Sequence, residues 1–312
     1  MKTDRPVLVG AYAALPAFRA DQERFYEGLA DRGIADGLEL PFRDGLGEDV
    51  NWLAGQLRGR FIRSVITLIP GTMGRVAASG TFGLASGDDA GRRAALGFLH
   101  EARVAAEELN QLTGEQSVSV LHIHTAPSTT AVPEEFARSL DEIAASEAAA
   151  GGGWSTRLVL EHCDAYSPDV PGEKRFLPLD EEVPLAREGG IGITVNWGRS
   201  AVEAQDPARP LTQIGRLTAE GLLEGIMFSG AGPVANGFGG PWADAHLPLT
   251  EDEPTSLMDA DEVRRCLLAA RGAFSYTGAK IQVPGEATVD ERLAMVGRVT
   301  GLLSEPVVPP RG

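Results

Sequence analysis

The chain has 312 residues, of which 43% are hydrophobic and 23% charged, a composition ordinary for one large globular domain or two small ones. Its 28 Lys and Arg against 44 Asp and Glu give a net charge of −16, which argues against nucleic-acid or anionic-membrane partners because both need a basic surface. With two cysteines, no apolar secretion signal and no run of about 18 apolar residues, a cytoplasmic enzyme or binding protein is expected.

Short apolar runs alternate with helix-type segments along the chain. The predicted strands are residues 7–12, 37–42, 64–69, 117–124, the run around 158–160, 191–196, 225–229 and 279–283. The predicted helices are residues 21–32, 49–58, 88–112, 133–150, 180–188, 211–223, 259–271 and 289–303. Two Gly-rich segments, 71–87 and 230–253, are predicted as long loops at the carboxyl face, where loops of this length are usually functional.

About eight strand–helix units in a chain of this size predict a (β/α)8 TIM barrel formed by residues 1–312 as a single domain. The alternative is an open, doubly wound sheet, which would normally carry a Gly-rich phosphate turn after its first strand. That turn reads Ala13-Ala14-Leu15-Pro16 here, and neither GxGxxG nor a P-loop occurs there. We therefore expect no nucleotide cofactor.

The fifth predicted strand is the main functional signal, because Glu161 directly follows the apolar run Leu158-Val159-Leu160. Barrel enzymes place their catalytic groups at the carboxyl ends of strands, so Glu161 is predicted to be catalytic. The alternative is an ion-paired strand end without a catalytic role. With Glu161 inside the barrel, His162 points outward as a buried structural imidazole, and Cys163 acts as a small hydrophobic residue.

His122 and His124 end the fourth predicted strand and, two residues apart, share one face of it. They could polarise a carbonyl, bind a metal or shuttle a proton. We predict a catalytic role for His124, nearer the rim, and a substrate-binding role for His122. The alternative is that both are hydrogen-bonded packing residues.

Further polar side chains stand at or beyond other predicted strand ends. The predicted substrate-binding residues are Glu39, His122, Asn196, Arg199, Ser229 and Gln282. A guanidinium at Arg199 could hold a carboxylate or phosphate, and a surface ion pair is equally open. Lys280 could form a Schiff base or be ion-paired in the core. His246 could enter the site from the loop as a metal ligand or remain a surface histidine.

Three of these segments resemble the xylose isomerase-like TIM-barrel superfamily of sugar isomerases, ketose epimerases and metal-dependent endonucleases. They are Gly37-Leu38-Glu39-Leu40, Leu121-His122-Ile123-His124 and Leu158-Val159-Leu160-Glu161. Within the superfamily the chain looks most like a domain-of-unknown-function branch. The resemblance implies that Glu161 is a metal ligand and an acid–base residue.

The chain departs from the superfamily at the other ligand positions. Asn196, Ser229 and Gln282 stand where the resemblance implies Asp, His and Glu, so metal affinity should fall. The ligands that remain predicted are Glu161 and His246, for one divalent ion of the Mn, Mg or Zn type.

Two functions follow. The first is a sugar or sugar-acid isomerase or epimerase, in which Glu161 removes a proton next to a carbonyl, His124 polarises the oxygen and Arg199 orients an anionic group. The alternative is a carbohydrate-binding barrel that has lost its metal and its chemistry. A small molecule is the expected partner in both cases, and the sequence leaves a homo-oligomer open.

Overall fold

The computed structural model describes residues 5–149 and 153–305. Eight parallel strands form a closed barrel in the order β1 to β8. The strands are β1 Val7–Val9, β2 Gly37–Pro41, β3 Ser64–Thr67, β4 Val118–Ile123, β5 Arg157–His162, β6 Gly192–Asn196, β7 Leu223–Phe228 and β8 Tyr276–Ala279. The predicted (β/α)8 barrel is therefore confirmed.

Helices follow the strands, as the alternating pattern predicts. They are α1 Arg19–Asp31, α2 Val50–Leu57, α3 Ile69–Ser79, α4 Asp89–Thr113, α5 Pro133–Ala149, α6 Leu179–Glu188, α7 Trp197–Ala204, α8 Ala208–Glu220, α9 Ala260–Ala270 and α10 Val289–Ser304. The predicted end of the fifth helix at residue 150 lies outside the described residues. No helix in the described part of the chain is both long and apolar enough to cross a membrane.

Two compact units make up the chain, one of Met1–Leu38 with Thr194–Gly312 and one of Glu39–Ile193. In the Glu39–Ile193 unit, Val120, Leu121, Val159 and Leu160 of the paired strands β4 and β5 are almost fully buried. In the other unit, Leu8 of β1 pairs with Gly278 of β8. That the whole chain is a single domain stays a prediction.

The prediction of a long loop over residues 71–87 is wrong, because α3 occupies Ile69–Ser79. Pro70 lies in the first turn of this helix, where no backbone N–H is needed, so it starts the helix rather than breaking it. Gly80, with φ +71°, ends the helix. The second predicted loop, 230–253, is confirmed as a segment without helix or strand.

The eighth strand is earlier than the predicted residues 279–283. Strand β8 packs closely at Gly278, where only glycine fits, since a Cβ there would lie 2.7 Å from the Leu8 carbonyl oxygen and 2.7 Å from the Met227 sulfur. Lys280 and Gln282 consequently follow the strand instead of forming it. Helix α7 was not predicted at all, although the Asn196 side chain caps it by accepting a hydrogen bond from the Arg199 backbone N–H.

Candidate functional site

Five polar side chains of the Glu39–Ile193 unit lie on one face of β2 to β5 and their ends. They are Glu39, Thr67, His122, His124 and Glu161, here called the Glu161 cluster, and each is at most 3% exposed. Strand alternation and register explain the shared face. Thr67 pairs with His122, which pairs with Val159, and Glu161 is two residues beyond Val159.

Thr67 and His124 orient the Glu161 carboxylate. Its Oε2 accepts a hydrogen bond from Thr67 Oγ1 at 3.0 Å. His124 Nε2 lies 2.8 Å from the same oxygen. Because an ionised carboxylate only accepts hydrogen bonds, Nε2 is the protonated nitrogen of His124 in that state.

Glu39, His122 and Glu161 form a group that could hold a metal ion. Each offers one ligand atom, and these atoms lie within 4.8 Å of one another. His122 Nδ1 is 4.0 Å from Glu39 Oε1 and 3.9 Å from Glu161 Oε2. Two carboxylates and an imidazole suit a divalent ion, which would also neutralise two buried negative charges. Among the described residues, no other group of three such side chains lies this close together.

A sequence profile of the family described as "Domain of unknown function (DUF4862)" matches residues 8–295. The chain belongs to the DUF4862 family. The uncharacterized protein STM3670 of Salmonella typhimurium is 33% identical to this DUF4862 chain over an alignment of 309 residues that covers 94% of this chain and 95% of that protein.

Solved structures share the fold of the DUF4862 chain at low sequence identity. An L-ribulose 3-epimerase has a TM-score of 0.59 at 13% identity and covers 96% of this chain and 93% of its own. A xylose isomerase domain protein from Alicyclobacillus acidocaldarius has a TM-score of 0.55 at 13% identity, covering 96% and 98%. A family 2 AP endonuclease from Brucella melitensis has a TM-score of 0.56 at 14% identity, covering 94% and 97%. The predicted resemblance to xylose isomerase-like barrels is confirmed, and it shows the fold alone.

The opposite face of β5 carries a structural network in this DUF4862 chain. His162 Nδ1 lies 2.6 Å from Glu182 Oε2 on α6, and Thr125 Oγ1 donates to Glu182 Oε1 at 2.7 Å. All three side chains are buried. The outward, structural position predicted for His162 is therefore confirmed, and Cys163 is fully buried as expected.

The Asp164 side chain stabilises the loop that follows β5 by hydrogen bonds to backbone groups. Its Oδ2 accepts hydrogen bonds from the backbone N–H groups of Glu173, Lys174 and Arg175 at 2.7, 2.8 and 3.2 Å. This loop brings Phe176 to His124, with 6.5 Å between the ring centroids.

In the other unit, hydrogen bonds tie down the three positions that depart from the superfamily pattern. Asn196 Oδ1 accepts bonds from the Arg199 backbone N–H at 3.2 Å and from Ser229 Oγ at 2.8 Å. Gln282 Nε2 donates to the Ala245 carbonyl oxygen at 2.8 Å. A carboxylate at 282 could not make that last bond.

Arg199 pairs with a carboxylate that sequence reasoning missed. Its Nε lies 3.0 Å from Asp244 Oδ2, and both side chains are at most 3% exposed. The alternative of a surface ion pair is wrong for Arg199, because this pair is buried. Asp244 Oδ1 also lies 3.1 Å from His246 Nδ1. Asp244 lies in a Gly-rich loop, and the sequence spacing of loop residues does not predict which side chains they contact.

Two further predicted residues belong to the same unit. Burial lowers the pKa of His246, and the nearby charges of Lys280 and Arg199 lower it further against the opposing effect of Asp244. Lys280 is buried, with its Nζ 5.3 Å from the Tyr12 ring centroid. Thr67 is the other group that sequence reasoning missed. It lies in the predicted strand 64–69, two residues before the end of that strand, and it is the last residue of the observed strand β3.

Proposed function

We propose that this DUF4862 protein is an isomerase- or epimerase-like enzyme that transfers a proton next to the carbonyl of a sugar or sugar acid, with Glu161 as the proton acceptor. The observation that carries the proposal is the Glu161 carboxylate at the end of β5, held by Thr67 and His124 beside Glu39 and His122. A carboxylate fixed in this way suits proton abstraction, which depends on the orientation of the base.

The cluster supports a separate role for each member. Glu161 takes the proton, while Thr67 and His124 orient its carboxylate through Oε2. His124 is thus assigned a positioning role in place of the oxygen-polarising role expected from the sequence. One ligand atom each of Glu39, His122 and Glu161 lies within 4.8 Å of the others, which supports the expected role of Glu39 and His122 in binding the molecule on which Glu161 acts.

Glu39, His122 and Glu161 are also the residues that would hold a divalent ion of the Mn, Mg or Zn type. When bound, such an ion supplies Lewis-acid stabilisation of charge that develops on a carbonyl oxygen. His246 is not part of this group.

The remaining features of the proposal concern the partner and the compartment. The net charge of −16 supports a small-molecule partner and not nucleic acid. Two free, buried cysteines agree with a cytoplasmic location.

Proton exchange with solvent tests the proposal. Purified protein is incubated with a panel of aldoses, ketoses and sugar acids in deuterated water, with and without Mn²⁺, and deuterium at carbon is followed by NMR. We expect exchange with at least one sugar and a fall of about 100-fold or more in Glu161→Gln. Glu181→Gln, the same change on the exposed side of α6, should keep the activity. No exchange with any sugar would refute the proposal.

A second candidate is a metal-free carbohydrate-binding barrel. The hydrogen bonds of Asn196, Ser229 and Gln282 to protein groups favour it, because these positions are then not ligands. A sugar that raises the melting temperature without any exchange would support this function. Stoichiometric metal in the purified protein, measured by elemental analysis, would reject it.

A further inference from the structure

The loop that follows β5 is folded around the Asp164 carboxylate. Asp164 is fully buried, and its Oδ2 accepts the three backbone hydrogen bonds from residues 173–175 described above. An ionised carboxylate forms hydrogen bonds that are roughly twice as strong as those of a neutral acceptor. A Cβ on Gly172 would lie 2.4 Å from the same oxygen, so glycine lets the chain pass this close. The carboxylate therefore fixes the backbone just before Phe176.

Further backbone hydrogen bonds fix Phe176 itself. Its N–H donates to the Asp164 carbonyl oxygen at 3.1 Å, and its carbonyl oxygen accepts from the Tyr166 N–H at 3.0 Å. The Thr129 N–H donates to the Arg175 carbonyl oxygen at 2.8 Å, which ties the loop to the turn after β4. The Phe176 side chain, 2% exposed, is thus held in one position beside the ends of β4 and β5.

Phe176 packs against the ring of His124. The two ring centroids lie 6.5 Å apart with the planes inclined by 55°, within the distance range of interacting aromatic pairs. His124 also lines a small cavity of about 20 Å³ together with apolar side chains such as Leu99 and Ile123. A space of this size, enough for about one water molecule, leaves the ring room to shift. Contact with Phe176 opposes such a shift and keeps Nε2 at 2.8 Å from Glu161 Oε2.

We propose that Asp164 and Phe176 are positioning residues of the enzyme, which act on Glu161 through His124. Asp164 holds the loop, and the loop holds the Phe176 ring against the imidazole. The imidazole N–H in turn orients the Glu161 carboxylate that takes the proton. This role rests on the proposed function, and all four residues belong to the Glu39–Ile193 unit.

The exchange of one histidine proton with solvent tests the inference without any substrate. The full chain is labelled with ¹⁵N-histidine, and the His124 Nε2–H signal is assigned by its loss in His124→Gln. We expect this proton to exchange at least about tenfold faster in Phe176→Leu and in Asp164→Asn, because the ring then leaves Glu161 more often.

Phe136→Leu is the matched control for the exchange measurement. It removes a similarly buried ring from α5 and should leave the exchange of the His124 proton unchanged. Circular dichroism verifies that the variants fold. Unchanged exchange in either Phe176→Leu or Asp164→Asn, or a wild-type proton that exchanges too fast to detect, would overturn the inference.

A double-mutant cycle on a sugar that exchanges in deuterated water gives the second readout. Phe176→Leu should lower kcat by about tenfold with little change in KM, because it weakens the orientation of the base and not the binding of the sugar. In a His124→Gln background the same change should have no further effect, since the ring through which Phe176 acts is gone. A rise in KM without a fall in kcat, or equal losses of kcat in both backgrounds, overturns the inference. If no sugar exchanges at all, the proposed function fails, and the proton-exchange result alone decides whether the loop positions His124.

Discussion

Glu182 is the single residue on which the buried network behind β5 depends. One of its carboxylate oxygens contacts His162 Nδ1, and the other accepts a hydrogen bond from Thr125 Oγ1. All three side chains are buried. Removing the carboxylate leaves two buried polar groups without this acceptor, which is costly.

We expect Glu182→Ala to lower the free energy of unfolding by about 3 kcal/mol, because two buried polar groups each lose their hydrogen-bond partner. Urea unfolding at pH 7 measures it. Glu181→Ala is the control, since Glu181 is exposed on the same helix and should change stability little. Equal effects of the two substitutions would contradict a structural role for the network.

At the scale of elements, the segment before α4 is tightly packed against the turn that follows β4. A Cβ on Gly83 would lie 2.0 Å from the Ala126 carbonyl oxygen, so only glycine fits there. Gly97, inside α4, has nothing within 4 Å of the same position.

Gly83→Ala should therefore destabilise the protein by about 3 kcal/mol through overpacking. Gly97→Ala should be neutral or stabilise it by about 0.5–1 kcal/mol, because alanine loses less backbone entropy in a helix. Thermal unfolding of the two variants gives the comparison. A stable Gly83→Ala protein would mean that the segment can move away from β4 at little cost.

Helix α10 begins with a capping box. Glu291 Oε2 accepts bonds from the Thr288 backbone N–H and hydroxyl, both at 2.8 Å, and these bonds lower the pKa of Glu291. A lowered pKa in the folded state means that the ionised carboxylate stabilises the fold above the ordinary glutamate pKa. That contribution is lost as the pH falls through the folded pKa.

The stability difference between the wild type and Glu291→Gln should thus be full at pH 7 and smaller at pH 3. Urea unfolding at both pH values measures it. Glu286→Gln, an exposed residue of the preceding loop, serves as the control and should show no such pH-dependent difference. A difference that is the same at both pH values would exclude the carboxylate as its source.

Element prediction succeeded where local pattern decides the structure and failed where packing decides it. The apolar runs of β2 to β6 could be located within a few residues. Helix α3 was missed because its residues were divided between the predicted strand 64–69 and the predicted loop 71–87, with Pro70 between them, although proline also fits a first helical turn. The position of β8 depends on the close approach of Leu8 and Met227 to Gly278, which no local pattern shows.

At the scale of the whole molecule, the barrel could be predicted because eight strand–helix alternations admit few other folds. The shared face of His122 and His124 followed from the two-residue period of a strand. The Thr67–Glu161 bond depends on the register of β3 to β5, and the Arg199–Asp244 pair depends on the path of a long loop. The local sequence pattern predicts neither the register between strands nor the path of a long loop.

Metal binding should raise the stability of the whole chain, because the three ligands come together only when it is folded. At a Mn²⁺ concentration about 100 times the Kd, the stabilisation is about 2.7 kcal/mol. We expect Mn²⁺ to raise the Tm of the wild type and to have much less effect on Glu39→Gln. Glu182→Gln changes a buried carboxylate outside the metal group and should keep the full response. Equal responses of the two variants would contradict the Glu39–His122–Glu161 group as the binding site.

The hydrogen bonds of Asn196, Ser229 and Gln282 limit how this chain can be engineered. Introducing at these positions the Asp, His and Glu that the superfamily resemblance implies would not simply add ligands. An ionised glutamate at 282 could not donate to the Ala245 carbonyl oxygen, so the segment next to His246 would lose this hydrogen bond. A side chain larger than serine at 229 would be crowded by Gly198, since even a Cβ on Gly198 would lie 2.8 Å from the Ser229 hydroxyl oxygen. Introducing these three side chains therefore requires a redesign of the loop after β7 as well.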